Sequence, residues 1–203
     1  MNFYSDAKQD QFVANLLNFK RDGVYLDIGS CDSAISNNSF AFDHFLDWAG
    51  ICVELNSICN ESYKNRKNCQ YFNDDATKLD YLSILNKANF PKTIDYLSLD
   101  VDTLSVEVLN FLPFSDYTFK VITIEHDSYL YGDKYKTPQR DFLTKAGYEL
   151  VCSDVLVEQE GFYNTVSPFE DWWVHKGYFE PSILDNIRSA SELPSSILNK
   201  FVK

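Results

Sequence analysis

The feature that most constrains this chain is the run Gly23-Val24-Tyr25-Leu26-Asp27-Ile28-Gly29-Ser30-Cys31-Asp32. A short apolar stretch ends in Asp-x-Gly and then breaks into small and polar residues. That is the pattern of a buried strand delivering its carboxyl end to a ligand loop. Glycine at position 29 allows a tight turn and a close backbone approach to a bound molecule. The next apolar run, Gly50-Ile51-Cys52-Val53, ends in Glu54. An acid there can take both hydroxyls of a ribose, as it does in nucleotide-binding βαβ units. Two strand ends that each finish in a carboxylate point to a domain for a nucleoside cofactor.

The same alternation continues along the chain. Strands are predicted over 24–28, 51–55, 70–73, 94–100 and 120–125. Helices are predicted over 6–21, 37–48, 58–67, 79–88, 105–112 and 138–146, with Pro113 as a stop and Gly147 as a C-terminal cap. Five strands alternating with helices make a parallel sheet wound on both faces. The pattern then changes, because 148–157 and 172–176 are strand-like with no helix between them, and such a hairpin must be antiparallel. The expected fold is α/β and Rossmann-like: a seven-stranded, mostly parallel sheet with helices on both faces and an antiparallel C-terminal hairpin. A single domain over 1–203 is expected, with an N-terminal helix at 6–21, a core at 22–177 and a polar tail at 178–203.

Charge narrows the partners. With 18 Lys and Arg against 30 Asp and Glu, the net charge is −12, so no basic patch is available to neutralise phosphates. Nucleic acid and anionic membrane surfaces are therefore not expected partners. The cluster Lys64-Asn65-Arg66-Lys67 reads as solvated cations at a helix end. Five cysteines (31, 52, 59, 69 and 152) form no CxxC pair and no zinc-like spacing with His44, His126 and His175. No metal is expected, and the odd, irregular count fits reduced thiols in a cytoplasm. Charges within residues 1–20 and the lack of a long apolar run point to a soluble, intracellular protein with no membrane partner.

Ligands in open α/β sheets bind outside the carboxyl ends of the strands. Candidate residues are therefore Asp27, Gly29, Ser30 and Cys31 after the first strand, and Glu54, Leu55 and Asn56 after the second. Asp74, Asp75 and Ala76 follow the third, Asp100 and Asp102 the fourth, and Glu125, His126 and Asp127 the fifth. An acid at all five mouths suits a cationic ligand. S-adenosylmethionine is one, with a sulfonium and an ammonium but no phosphate. A dinucleotide needs more glycines than the loop Gly29-Ser30-Cys31-Asp32-Ser33-Ala34 supplies, and Asp32 would repel a diphosphate.

From about Ser5 to Lys176 the chain resembles the FkbM-like family of S-adenosylmethionine-dependent methyltransferases. The resemblance is carried by Lys8-Gln9-Asp10-Gln11-Phe12, Tyr25-Leu26-Asp27-Ile28-Gly29, Ser36-Asn37-Asn38, Gly50-Ile51-Cys52-Val53-Glu54-Leu55-Asn56, Ile94-Asp95-Tyr96-Leu97-Ser98-Leu99-Asp100-Val101 and Ile122-Thr123-Ile124-Glu125-His126. It implies O-methylation of a hydroxyl on a sugar or other small acceptor, with S-adenosylmethionine as cofactor. It also implies that Asp27 and Gly29 line the methionine end and that Glu54 holds the ribose beside Asn56. Asp75 and Ala76 would meet adenine, Asp100 would face the ammonium or the acceptor, and Gln9 and Asp10 would close over the cofactor. Two departures stand out: Ser33 replaces a second glycine, and Asp102-Thr103-Leu104-Ser105 replaces Glu-Gly-x-Glu. They leave open a second reading, a catalytically inactive methyltransferase fold kept for binding or regulation.

Deprotonating a hydroxyl is helped by a base that titrates near neutrality. His126 is the expected base, with Glu125 or Asp102 orienting it. Its alternative is a histidine bonded to a neighbouring loop. Trp172 and Trp173, with Phe162, Tyr163 and Phe169, would wall an acceptor pocket or else pack the core.

Overall fold

The computed structural model describes residues 1–159 and 165–202. Successive side chains on a strand point to opposite faces, and this alternation divides the apolar residues between two cores. The parallel strands are Val24–Ile28 (β1), Ala49–Val53 (β2), Cys69–Phe72 (β3), Thr93–Leu99 (β4) and Thr118–Glu125 (β5). Tyr25, Cys52, Tyr96 and Val121 enter one core, and their neighbours Leu26, Ile51, Leu97 and Ile122 enter the other.

Helices cover each face according to their own apolar stripes. In chain order they are Gln9–Leu16 (α1), Phe40–Leu46 (α2), Asn60–Tyr63 (α3), Tyr81–Lys87 (α4), Ser105–Phe111 (α5), Ser128–Tyr131 (α6), Asp133–Lys145 (α7), Pro181–Ile187 (α8) and Pro194–Asn199 (α9). Phe12 of α1, Phe42 of α2, Leu184 of α8 and Ile197 of α9 belong to the first core. Leu85 of α4, Leu109 of α5 and Leu143 of α7 belong to the second.

The sheet order is β3-β2-β1-β4-β5-β7-β6-β8, where β6 is Tyr148–Gln159, β7 Thr165–His175 and β8 Ser189–Ala190. Strands β1 to β5 are parallel to one another, β7 is antiparallel to β5 and β6, and β8 is parallel to β6. The expected class therefore holds, with one correction: the sheet has eight strands. The eighth comes from the tail, and two residues are too short for any periodicity. Strand β7 also begins earlier than the pattern implied. Pro168 suppresses a strand reading, yet it pairs with Leu156 where the β6–β7 register is irregular.

The Lys64-Asn65-Arg66-Lys67 cluster is a second correction, because Arg66 turns inward. It is buried, with Nε 2.8 Å from Asp43 Oδ2, and it donates to Tyr25 Oη at 2.6 Å and Ser33 O at 2.7 Å. This inward turn ends α3 earlier than the 58–67 expected. Among the described residues, no helix is long and apolar enough to cross a membrane.

Candidate functional site

The carboxyl ends of β1 to β4 surround a cavity of about 360 Å³. Its shape follows from how the strand ends are tied. Gly29 N and Ser30 N donate to Val53 O, Glu54 N donates to Phe72 O, and Asp100 N donates to Ile28 O. Each mouth is thereby fixed by the neighbouring strand.

Glu54 has the most defined geometry. Its Oε2 accepts Cys31 N at 2.8 Å and its Oε1 accepts Asn56 N at 2.7 Å. Both oxygens are held in place by backbone donors, and each has capacity to accept a further hydrogen bond. Asn56 caps the following turn, its Oδ1 accepting Ile58 N at 3.1 Å. On the third mouth, Asp75 Oδ1 accepts Thr77 N at 2.9 Å and Thr77 Oγ1 at 2.7 Å, and Oδ2 pairs with Lys78. The Lys78 ammonium and the Thr77 donors lower its carboxyl to about 2, so it is a carboxylate at any ordinary pH. Ala76, Val53, Val101, Leu55 and Leu104 add apolar wall. Leu55 and Leu104 are exposed leucines on this lip. Leu55 was a candidate from its place just past the second strand, whereas Leu104 was given no role of its own.

Gly29 (φ +81°) lines the cavity, and the structure shows what demands a glycine. A Cβ built there would lie 1.5 Å from the Asp100 carbonyl oxygen. The close approach is to the protein's own backbone at the end of β4.

Asp27 and Ser30 are not among the cavity's lining residues. Asp27 is 1% exposed and accepts Ser39 Oγ at 2.7 Å, so it faces the interior of the sheet. Burial raises its carboxyl to about 6, against the lowering effect of Ser39 and Arg66. Ser30 is buried, and its hydroxyl receives Tyr63 Oη at 2.6 Å. Gln9 and Asp10 are likewise buried: Gln9 Oε1 accepts Ala7 N, and Asp10 binds the Tyr4 amide and the Ser5 hydroxyl. Both pin the N-terminal segment through these bonds. Asn37 does the same for the loop after β1, its Nδ2 donating to Ser30 O and Asp32 O.

At the β4–β5 boundary, Asp100 and the exposed Asp102 line the cavity. Glu125 lies within hydrogen-bond reach of Asp100 and of Asp127. Burial and then these two carboxyls push Glu125 far above its ordinary range, and burial also raises Asp100. At neutral pH the pair therefore holds a proton.

His126 is placed differently from expectation. Its ring is fully buried, Nδ1 accepts Ser128 N at 3.1 Å, and Nε2 faces Asp171 at 3.6 Å and Asp154 at 3.8 Å. Backbone pairing explains this, since His126 N and Asp127 N both donate to Phe169 O and so bind the loop to β7. The ligand atoms of His126, Asp154 and Asp171 lie within 4.8 Å of one another, a spacing that could hold a metal ion. Two cations already serve this group: Arg140 bonds both Asp171 and Asp154, and Lys136 bonds Asp154.

Trp172 and Trp173 pack as core, and Phe169 is half-buried. Trp172 stacks on Phe12 at 4.3 Å and donates to Glu170 Oε1 at 2.7 Å, and Trp173 belongs to the second core. Phe162 and Tyr163 lie outside the described residues. Glu170 was missed as a candidate. Burial first, with Asp100 and Asp171 adding, raises its carboxyl to about 8. His44 is exposed and stacks on Phe40, and His175 accepts Gly177 N.

No family profile matches the chain, and no curated protein matches it in sequence. Solved structures do match. The precorrin-6y C5,15-methyltransferase of Geobacter metallireducens superposes with a TM-score of 0.53 at 16% identity, over 82% of this chain and 86% of that one. Fibrillarin of Aeropyrum pernix, solved with natively bound S-adenosyl-L-methionine, gives 0.50 at 15% identity over 83% and 76%. A protein assigned as a hemolysin from Streptococcus thermophilus gives 0.55 at 11% identity over 99% and 74%. At these identities the likeness is one of fold, and the chain has the Rossmann-like fold of class I methyltransferases.

Proposed function

We propose that this chain is an S-adenosylmethionine-dependent methyltransferase of the FkbM-like kind, acting in the cytoplasm on a hydroxyl of a small, sugar-like acceptor. The observation that carries the reading is Glu54, whose two oxygens are locked by the Cys31 and Asn56 amides on the wall of the cavity. A carboxylate held at both oxygens presents two acceptors at fixed spacing, which suits vicinal ribose hydroxyls. The permanently charged Asp75 beside Ala76 suits an adenine amino group, with Leu55 and Leu104 flanking the ring. Asp100 and Asp102 favour the cationic end of the cofactor. The fold of the methyltransferase neighbours and the five free cysteines accord with this reading.

Bound there, S-adenosylmethionine supplies an electrophilic methyl group. The chain's part is to align an acceptor oxygen with it and to take the hydroxyl proton. The Glu125–Asp100 pair is the base in this scheme: one carboxyl holds the shared proton, and the carboxylate that remains takes the proton of the hydroxyl. His126 keeps the β5 end in place through Ser128 and Asp171.

Calorimetry with S-adenosylhomocysteine tests the cofactor site. The parent should bind, and Glu54→Ala should lose about 1–3 kcal/mol. No heat from the parent would end the reading. Glu125→Gln should lower turnover by roughly 10²–10⁴ with the same cofactor affinity, and unchanged turnover would remove Glu125 from the base role. The changed segment Asp102-Thr103-Leu104-Ser105 favours the second reading, a non-catalytic module. Cofactor binding without turnover on any acceptor would support it.

A further inference from the structure

We propose that the amino end of the sheet carries a second ligand site, one that takes a small carboxylate with an apolar body. The site is separate from the cofactor cavity and does not depend on the methyltransferase reading. It is a recess of about 450 Å³ between the end of α1, β5 and the turn that leads from β7 into α8. Leu17, Lys20, Lys120, Tyr178, Phe179 and Ile183 are among its walls. One buried acid holds both lysines: Asp95 Oδ2 accepts Lys20 Nζ at 2.6 Å, and Oδ1 accepts Lys120 Nζ at 2.8 Å. The two ammoniums therefore stand at a spacing that a single carboxylate bridges. Among the described residues Asp95 is the hydrogen-bonded partner of each ammonium, so each keeps two of its three donors. A second carboxylate entering from the recess can bridge them from the outside as Asp95 does from the inside.

The surroundings fix that geometry before a ligand arrives. Trp48 Nε1 donates to Lys20 O at 2.7 Å, which anchors the backbone behind the first ammonium. Tyr178 Oη lies 3.0 Å from Thr93 Oγ1, and Lys120 Nζ sits 5.5 Å from the Tyr178 ring centroid. Partners already in place cost little further ordering when a ligand binds. The walls account for the other half of the ligand. Tyr178 and Ile183 are 42% and 44% exposed, and Leu17 and Phe179 are half-buried. An apolar body laid on them takes that surface out of water, whereas a bare phosphate would leave it uncovered. Glu180, on the rim, is exposed and among the described residues pairs with neither lysine, so its charge is screened by solvent and salt.

The test uses the whole protein and four probes: 3-phenylpropionate, its uncharged amide, acetate and inorganic phosphate. Each is titrated with and without S-adenosylhomocysteine by calorimetry and ligand-observed NMR. 3-Phenylpropionate should bind about tenfold tighter or more than each of the other three, and the Tm should rise with its concentration. Lys20→Gln should erase the preference for the acid over the amide, with folding checked by thermal melts because Lys20 also serves Asp95. Ile183→Glu is the second variant: it sets a negative charge on an exposed wall position and should weaken 3-phenylpropionate about tenfold. Equal binding of acid and amide, binding of neither, tighter binding of phosphate, or a preference that survives both substitutions overturns the inference. So does displacement of the probe by S-adenosylhomocysteine, which would put it in the cofactor cavity. If S-adenosylhomocysteine fails to bind while the Lys20-dependent preference persists, the cofactor reading falls and the carboxylate site stands. Cofactor binding without that preference gives the reverse.

Discussion

The two ends of β4 carry acids in opposite circumstances. At the amino end, the buried Asp95 accepts Lys20 Nζ at 2.6 Å, Lys120 Nζ at 2.8 Å and Val24 N at 3.0 Å. At the carboxyl end, Asp100 has Glu125, Asp102 and Asp127 for neighbours, and among the described residues no cation is paired with it. Both are aspartates at the limits of one buried strand. The first is saturated and ties the segment after α1 to β1 and β5; the second has carboxyls for neighbours. What separates a cation-paired acid from one set among other acids here is the partner, which the residue type does not reveal.

Three substitutions can break or sharpen that contrast. Asp95→Asn should be the most damaging, because two lysines lose their shared acceptor inside the fold. A loss of about 3 kcal/mol in urea unfolding is expected, and a change under about 0.5 kcal/mol would show that the amino end is no better satisfied than the other.

Asp27 lies between the two cases, buried with a hydroxyl partner and Arg66 nearby. Its carboxyl is raised from 3.8 to about 6, so the fold prefers the neutral form. The resulting stability is complete below the unfolded value and is lost as pH rises through the folded one. Asp27→Asn should therefore gain on the parent by up to roughly 3 kcal/mol between pH 4 and pH 7, read by urea midpoints. Glu170, raised to about 8, drifts the same way in both proteins and cancels in the difference. A constant gap across this range would refute the placement of Asp27.

The smallest effect has the opposite sign to the first. Asp127→Asn relieves repulsion at the unpaired end, so the ligand-free protein should gain about 1 kcal/mol, measured by thermal unfolding in low salt. Destabilisation instead would mean that its bond with Glu125 outweighs the repulsion.

The fold was legible because its signals are local. Alternation from Tyr25 to Ile28, repeated in four more strands, fixes both faces of a parallel sheet, and the helix-free gap after residue 148 announces the antiparallel hairpin. The mouths of β2 to β4 were legible for the same reason, since Glu54, Asp75, Ala76 and Asp100 all reach the cavity. What was not legible depends on long-range pairing. Lys20 and Asp95 lie 75 positions apart, and Arg66 and Tyr25 lie 41 apart. His126 drew a base role from its place after β5, but the Phe169 carbonyl and the Asp171–Arg140 pair settle its surroundings. Asp27, within the Asp-x-Gly signature, faces Ser39 because strand alternation points it into the sheet's first face rather than out of its end.

The two-residue strand β8 governs what the far edge of the sheet can recruit. Strand β6 is 12 residues long, and an uncovered row of amides that long is a template for an incoming strand. Pairing with Ser189 and Ala190 occupies Cys152 and Ser153, while Leu156 N bonds Glu192 O and Arg188 donates to Leu150 O. Lys200 fastens this strap through Arg188 O, Ser189 Oγ and Glu192. The opposite edge, β3, has only four residues. Amyloid-like stacking and strand exchange between copies therefore have little backbone to start from, and a shortened chain lacking the strap would acquire a sticky margin along β6.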